Sequence, residues 1–462
     1  MIKLIIGILL LFTNFSDFAH YTAIRISPIL FFLAIIFQEL LTKKSKIQLT
    51  NKNFYPLYLL AIILVIGIIV STRSDISIDL RLFRILSFLS FIVAFFSTIF
   101  NSLKKNNLIN VFIKYTYIPL LIFISLNLFL FFIGLKSSDY EIGKAVILSY
   151  LGLSVDRVEF FLSPGINSYG AVLGILLNLS LIGFGVVKKS RKLFLSGIII
   201  SLISLLLTDS RGSIIFSLII FFAIKFIFSK LEKPRLLFLI PIFGFVGPFL
   251  LLATLLLLSQ TEYGSALSRS SEDLATGNAR SIIWALAFND FLTFKPDHHI
   301  FGYGEFGHYA AGLSQQWGYI FGDNENAELM HPHNMFLSIA LDYGYFGLIV
   351  FTTIQFSIVN SIKKNWNTER DISYILLANI LYFNLAGITE TMFGFYYHNI
   401  VYLFFIINIY AFILKYYKHQ NLSSYDRYFK IHPITNSPSS RTPSEGSPIH
   451  SGMVQLNTRA GE

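Results

Sequence analysis

Two histidines, His331 and His333, stand with Pro332 and Asn334 where a long polar loop re-enters an apolar stretch, and Gly344 and Gly347 follow inside that stretch at a spacing that allows close helix approach. Anchoring at a membrane surface favours Trp, Tyr, Lys and Arg over two imidazoles and an amide. An imidazole has an ordinary pKa of about 6.5, so it can accept a proton near neutrality, and this placement points to acid–base chemistry at a lipid–water boundary. A plainer role is also open: His333 and Asn334 would cap the helix that follows and bond loop carbonyls. A metal is not expected, because two histidines with no further ligand nearby in the chain are a poor set.

Two arginines fall on the same predicted side as this cluster. Arg211 lies at the end of an apolar run beside Gly212, where an arginine is expensive unless it faces a partner or water. Arg280 opens a stretch of helical periodicity. Snorkelling to the interface and an exposed helix-face charge are the bland alternatives. The planar fork of arginine meets phosphate oxygens two at a time, so two of them near a base would suit a diphosphate leaving group.

The elements that must hold these residues follow from composition. Of 462 residues, 54% are hydrophobic and only 13% charged, with a mean hydropathy of +0.63. Soluble domains carry about 25% charged residues, and repeated apolar runs of about 18 or more mark spanning helices. The formal charge of +10 sits in short loops between spans, which is a topology signal rather than a nucleic-acid surface. No cysteine is present, so disulfides and thiol catalysis are excluded.

About twelve spans are predicted, near 3–18, 21–41, 54–71, 85–101, 111–134, 167–187, 193–208, 213–228, 236–258, 334–359, 372–388 and 400–416. The first is read as a retained helix, since no small-x-small cleavage site follows it. The fold class is therefore all-α, a polytopic helical bundle over residues 1–420. Basic loops alternate, which puts both termini in the cytoplasm and residues 259–332 outside. Residues 421–462, rich in Ser, Pro and Thr with no apolar periodicity, read as a disordered cytoplasmic tail.

The loop 259–332 is too long for a plain connection. An amphipathic helix is expected from Arg280 to Phe288, capped by Asn278 or Thr276. Gly302, Gly304 and Gly307 mark a tight aromatic turn, not a dinucleotide site. Asp342, inside the re-entering span, is open to a functional or a purely hydrogen-bonding role. Glu325 and Glu328 read as solvated loop acids, whereas Glu390 and His398 could shape an acceptor side.

The sequence Asp209-Ser210-Arg211-Gly212 ending a span, Arg280 with Trp284 early in the loop, and His333-Asn334 with Gly344 and Gly347 together resemble the O-antigen ligase and surface-polysaccharide polymerase superfamily. The likeness runs from about 167 to 359, and the spacing from His-Asn to the two glycines is its most specific part. It implies a GT-C-like glycosyltransferase of the bacterial inner membrane with its site facing the periplasm. Such an enzyme takes a glycan from undecaprenyl diphosphate and joins it with inversion to a sugar hydroxyl, on a second glycan or on the lipid A core. It uses no cofactor, metal or nucleic acid, and a chain-length regulator would be a possible partner. By position the resemblance makes His333 the general base and Arg211 and Arg280 the diphosphate ligands, with Asn334, Gly344, Gly347 and His331 in support. The extra His331 leaves the base open between two imidazoles, and the downstream pattern favours His333.

A lipid-linked oligosaccharide flippase is the competing class. It would line several spans with charge at mid-membrane, whereas here only Lys225 and Asp342 stand out. No internal repeat is evident, as many transporters would have.

Overall fold

The computed structural model describes residues 2–13, 21–41, 54–71, 78–137, 143–163, 165–232, 234–259, 279–318, 331–394 and 400–414. Glu325, Glu328, His398, Thr276, Asn278 and the tail fall outside them. Among the described residues the chain is all-α, with isolated bridges at Lys136–Phe160 and Lys144–Asp156 in place of strands. Among the described residues, eight helices are long and apolar enough to cross a membrane, and four further apolar helices are shorter. The protein is a multi-pass membrane protein.

Ile166–Val186 and Arg370–Thr389 are the inner helices, while Thr22–Leu41 and Arg211–Lys230 form the rim. Small residues bring the inner helices close. A side chain at Gly174 would strike the Tyr382 ring, and one at Gly183 the Phe194 ring. Tyr382 then donates to Ser213 Oγ at 3.0 Å, tying Arg370–Thr389 to the rim helix that begins at Arg211.

The charged stretch holding Asp79, Arg81 and Arg84, expected as a loop, forms the first turns of the helix Ile78–Leu103. Its two arginines are partnered. Arg84 pairs with the buried Glu305 at 3.1 Å, and Arg81 reaches the Ile69 carbonyl at 3.4 Å.

The helix that carries the site, Met335–Lys364, is not one regular rod. Gly344 has φ 62° and ψ −161°, a backbone conformation essentially confined to glycine, and it breaks the helix after its first nine residues. The break frees carbonyls that the loop satisfies: Tyr303 N–H donates to Leu341 O at 3.0 Å and Gly304 N–H to Asp342 O at 2.8 Å. Asp342, 1% exposed, accepts from Gly307 N–H at 2.7 Å, so its acid fastens the loop. Glu305 N–H donates to Gly67 O at 2.9 Å and stitches in a third helix, Tyr55–Val70.

The turn of Gly302, Gly304 and Gly307 is thus a rivet between three helices, and its glycines are needed for contact as well as for bending. Gly344 and Gly347 were expected to let neighbouring helices approach. Instead Gly344 makes the break, where an added Cβ would come 2.6 Å from His299 O, and Gly347 leaves room for Tyr343 of its own helix.

Candidate active site

The expected loop helix exists as Arg280–Phe291. It buries Ile283, Trp284, Ala287 and Phe291 against Leu313, Trp317, Ala340, Leu341 and Ile388, an apolar cluster separate from the main core. This cluster seats the loop on the first half of the broken helix and on the end of Arg370–Thr389. Trp284 Nε1 donates to Pro332 O at 2.8 Å, which pins the His-Pro-His turn from the loop side.

Asn334 caps the broken helix in the manner expected, its side chain accepting from Leu337 N–H at 3.0 Å. Its amide also donates to Ile388 O at 3.3 Å, so the cap is welded to the neighbouring helix end. His333 precedes the cap with φ 47°, a left-handed conformation uncommon for a residue with a Cβ.

The decisive contact is with Glu390, the residue that ends Arg370–Thr389. One carboxylate oxygen lies 3.1 Å from His333 Nδ1, and the other accepts from Arg280 Nη2 at 2.7 Å. His333, Glu390 and Arg280 side chains are only 10%, 18% and 20% exposed, so the chain of charge is largely shielded from water. Burial pushes the Glu390 carboxyl upward, but Arg280 and His333 together outweigh it and hold the group below its ordinary range. Glu390 is therefore an anion, and His333 Nδ1–H donating to it leaves Nε2 as the acceptor. That is the arrangement of a base with an orienting acid.

Arg280 Nη2 is committed to Glu390, while its Nε is buried without a hydrogen-bond partner, so the guanidinium keeps donor capacity for a ligand. His331 lies against His333 with ring centroids 3.9 Å apart and the ring planes tilted by 47°. Burial, then the neighbouring His333, His308 and Arg280, drives His331 well below the ordinary imidazole range, and it stays neutral.

The premise that the two histidines lack a third ligand does not survive. His331, His333 and Glu390 offer donor atoms within 4.8 Å of one another, a possible metal triad. Glu390 already bridges Arg280 and His333, and His331 Nδ1 already accepts from the His333 amide at 3.1 Å. A cation would have to displace these bonds and sit beside a guanidinium, so the arrangement fits a metal poorly.

Of the two expected arginines, Arg280 is joined to His333 through Glu390. Arg211 heads a different helix and pairs with Asp209 across 3.7 Å, where Asp209 itself adopts the left-handed conformation (φ 53°) that ends the preceding helix. A corner between two helices is therefore present at 209–211, and its arginine is paired with an acid that is 6% exposed. Sequence reasoning gave Glu390 only an acceptor-side role. The one local signal was an acid directly after an apolar span.

Residues 196–352 match the family model described as O-antigen ligase, and this match supports the O-antigen ligase and polymerase superfamily. The match takes in Arg211, Arg280 and His333, whereas Glu390 lies beyond it. No curated protein matches the chain.

Proposed function

We propose that the protein transfers a glycan from undecaprenyl diphosphate to a sugar hydroxyl at the periplasmic face of the inner membrane, as a polymerase or a ligase. The observation that carries this reading is the Glu390 bridge, which gives one imidazole an orienting anion and sets an arginine beside it. His333 Nε2 takes the proton from the acceptor hydroxyl as its oxygen forms a bond to the anomeric carbon. The bond from that carbon to the diphosphate oxygen breaks, and undecaprenyl diphosphate leaves with the electron pair. Direct displacement inverts the anomeric centre. A positioned base supplies about 10²–10⁴-fold.

Arg280, and Arg211 from the adjacent rim helix, stabilise the charge that develops on the leaving group. Lysine at either position would keep the charge and lose the two-pronged contact. Metal plays no part in this reading.

The test is transfer in proteoliposomes containing a lipid-linked donor and a glycan acceptor. His333→Ala should abolish transfer, Arg211→Lys should lower it sharply, and chelator should leave the rate unchanged. Full activity in His333→Ala would sink the base. Full activity in Arg211→Lys would leave that residue as an interfacial charge paired with Asp209.

A further inference from the structure

The turn that presents His333 is closed by the residue two positions before it. The His333 amide donates to His331 Nδ1 at 3.1 Å, across Pro332, whose ring fixes its own φ. An asparagine closes an Asx turn by the same connection, from a side-chain oxygen to the amide two residues on. Nδ1 of histidine stands as many bonds from its Cα as that oxygen does. His331 is thus placed as a turn acceptor, and it holds a left-handed φ of 47° that His333 would not adopt for its own sake.

The hydrogen-bond directions fix the state of the His331 ring. A backbone N–H can only donate, so Nδ1 carries no proton and Nε2 does. Thr391 Oγ1, 3.3 Å from the same Nδ1, then donates to it, and Ser338 Oγ, 3.0 Å from Thr391, donates to Thr391. The chain of donors is consistent from the broken helix to the turn. Thr391 directly follows Glu390, so two adjacent residues grip two histidines: the acid orients His333 and the hydroxyl orients His331.

We propose that His331 and Thr391 are positioning residues, a clasp that holds the His333 backbone so that its ring meets Glu390. The assignment rests on His333 being the base of the reaction proposed above. Within the clasp His331 cannot itself accept the substrate's proton, because Nδ1 is occupied by two donors and Nε2 already bears hydrogen. Its function is separable from imidazole chemistry. An amide oxygen at the same place should serve.

The full chain in lipid nanodiscs decides it, with His331→Asn, His331→Ala, Thr391→Ser and Thr391→Val read by two measurements. In the transfer assay, His331→Asn and Thr391→Ser should stay near the parent kcat. His331→Ala should lose roughly 10- to 100-fold in kcat with little change in acceptor KM, as a misplaced catalytic group does. Thr391→Val should fall between them. In hydrogen–deuterium exchange, the peptide spanning 331–337, in which Pro332 has no amide, should exchange faster in His331→Ala and not in His331→Asn.

If His331→Asn were as inactive as His331→Ala, the imidazole itself would be required and the clasp would be refuted. Unchanged exchange in His331→Ala would refute it independently. Should the exchange pattern hold while His333→Ala remained active, the base assignment would fall and the clasp would stand as the device that shapes this turn.

Discussion

Replacing Glu390 with Gln keeps the side chain's size, removes the charge and turns one of the two accepting oxygens into an NH2 donor, so Arg280 and His333 can no longer both be satisfied. Two cationic groups lose their partner: Arg280 at 2.7 Å, and the imidazolium that His333 becomes on taking a proton, at 3.1 Å. Hydrogen bonds to charged groups contribute about 1.5–3 kcal/mol, and side chains only 10–20% exposed place this one toward the upper part of that range. Only the contact to His333 strengthens as the proton moves, so its share, about 2–3 kcal/mol, is the part that appears in the rate. At 1.36 kcal/mol per tenfold, kcat should fall roughly 30- to 150-fold. Arg280, released from Glu390, remains free to bind diphosphate, so KM for the lipid-linked donor should not rise. Single-turnover transfer in proteoliposomes measures the chemical step without product release. A Glu390→Gln enzyme within threefold of the parent would refute the orienting role and reduce the contact to a structural ion pair.

The same substitution has a pH signature in stability. The Glu390 carboxyl is held below its ordinary value of 4.5, so folding favours its ionised form. A depressed pKa stabilises the fold above the unfolded value, and that contribution disappears as pH falls through the folded value. The gap in thermal stability between parent and Glu390→Gln should therefore persist through pH 5 and close only in stronger acid. A gap that closed between pH 7 and 5 would contradict the ion pair.

Gly344→Ala should destabilise the protein by about 3 kcal/mol or more, since a Cβ combines a glycine-only conformation with overlap onto the backbone of residues 299 and 300. Gly185→Ala, where a Cβ meets nothing within 4 Å, should be neutral or mildly stabilising, and detergent melting curves compare the two. Enzyme reporters active only outside the cytoplasm should score after Gly322 and be silent after Asn365, the sidedness expected from the alternation of basic loops. The reverse pattern would move the site to the cytoplasmic face.

What could be read from the chain was local. Apolar runs gave the spans, the Asn334 cap was visible from its position before Met335, and the loop helix began at Arg280 as its periodicity required. The glycine-rich turn was also legible as a turn. Its task was not, because its hydrogen bonds go to Gly67, Leu341 and Asp342, and nothing in residues 302–307 names those partners. Gly344 looked like a packing glycine for the same reason: a broken helix and a closely packed one place the same residue in the same apolar run.

The acid of the site was hidden by distance along the chain. Glu390 lies 57 residues from His333 and 110 from Arg280, and it reaches both because two helices end at the same level of the bundle. That shared level depends on the break at Gly344 and on the weld from Asn334 to Ile388, both tertiary features. A regular helix through 344 would point its first half elsewhere and carry His333 away from Glu390. The catalytic residue types are therefore cheap to find by eye. The geometry that sets His333 against Glu390 is held by a glycine, an amide cap and a helix end, residues with no reactive chemistry of their own.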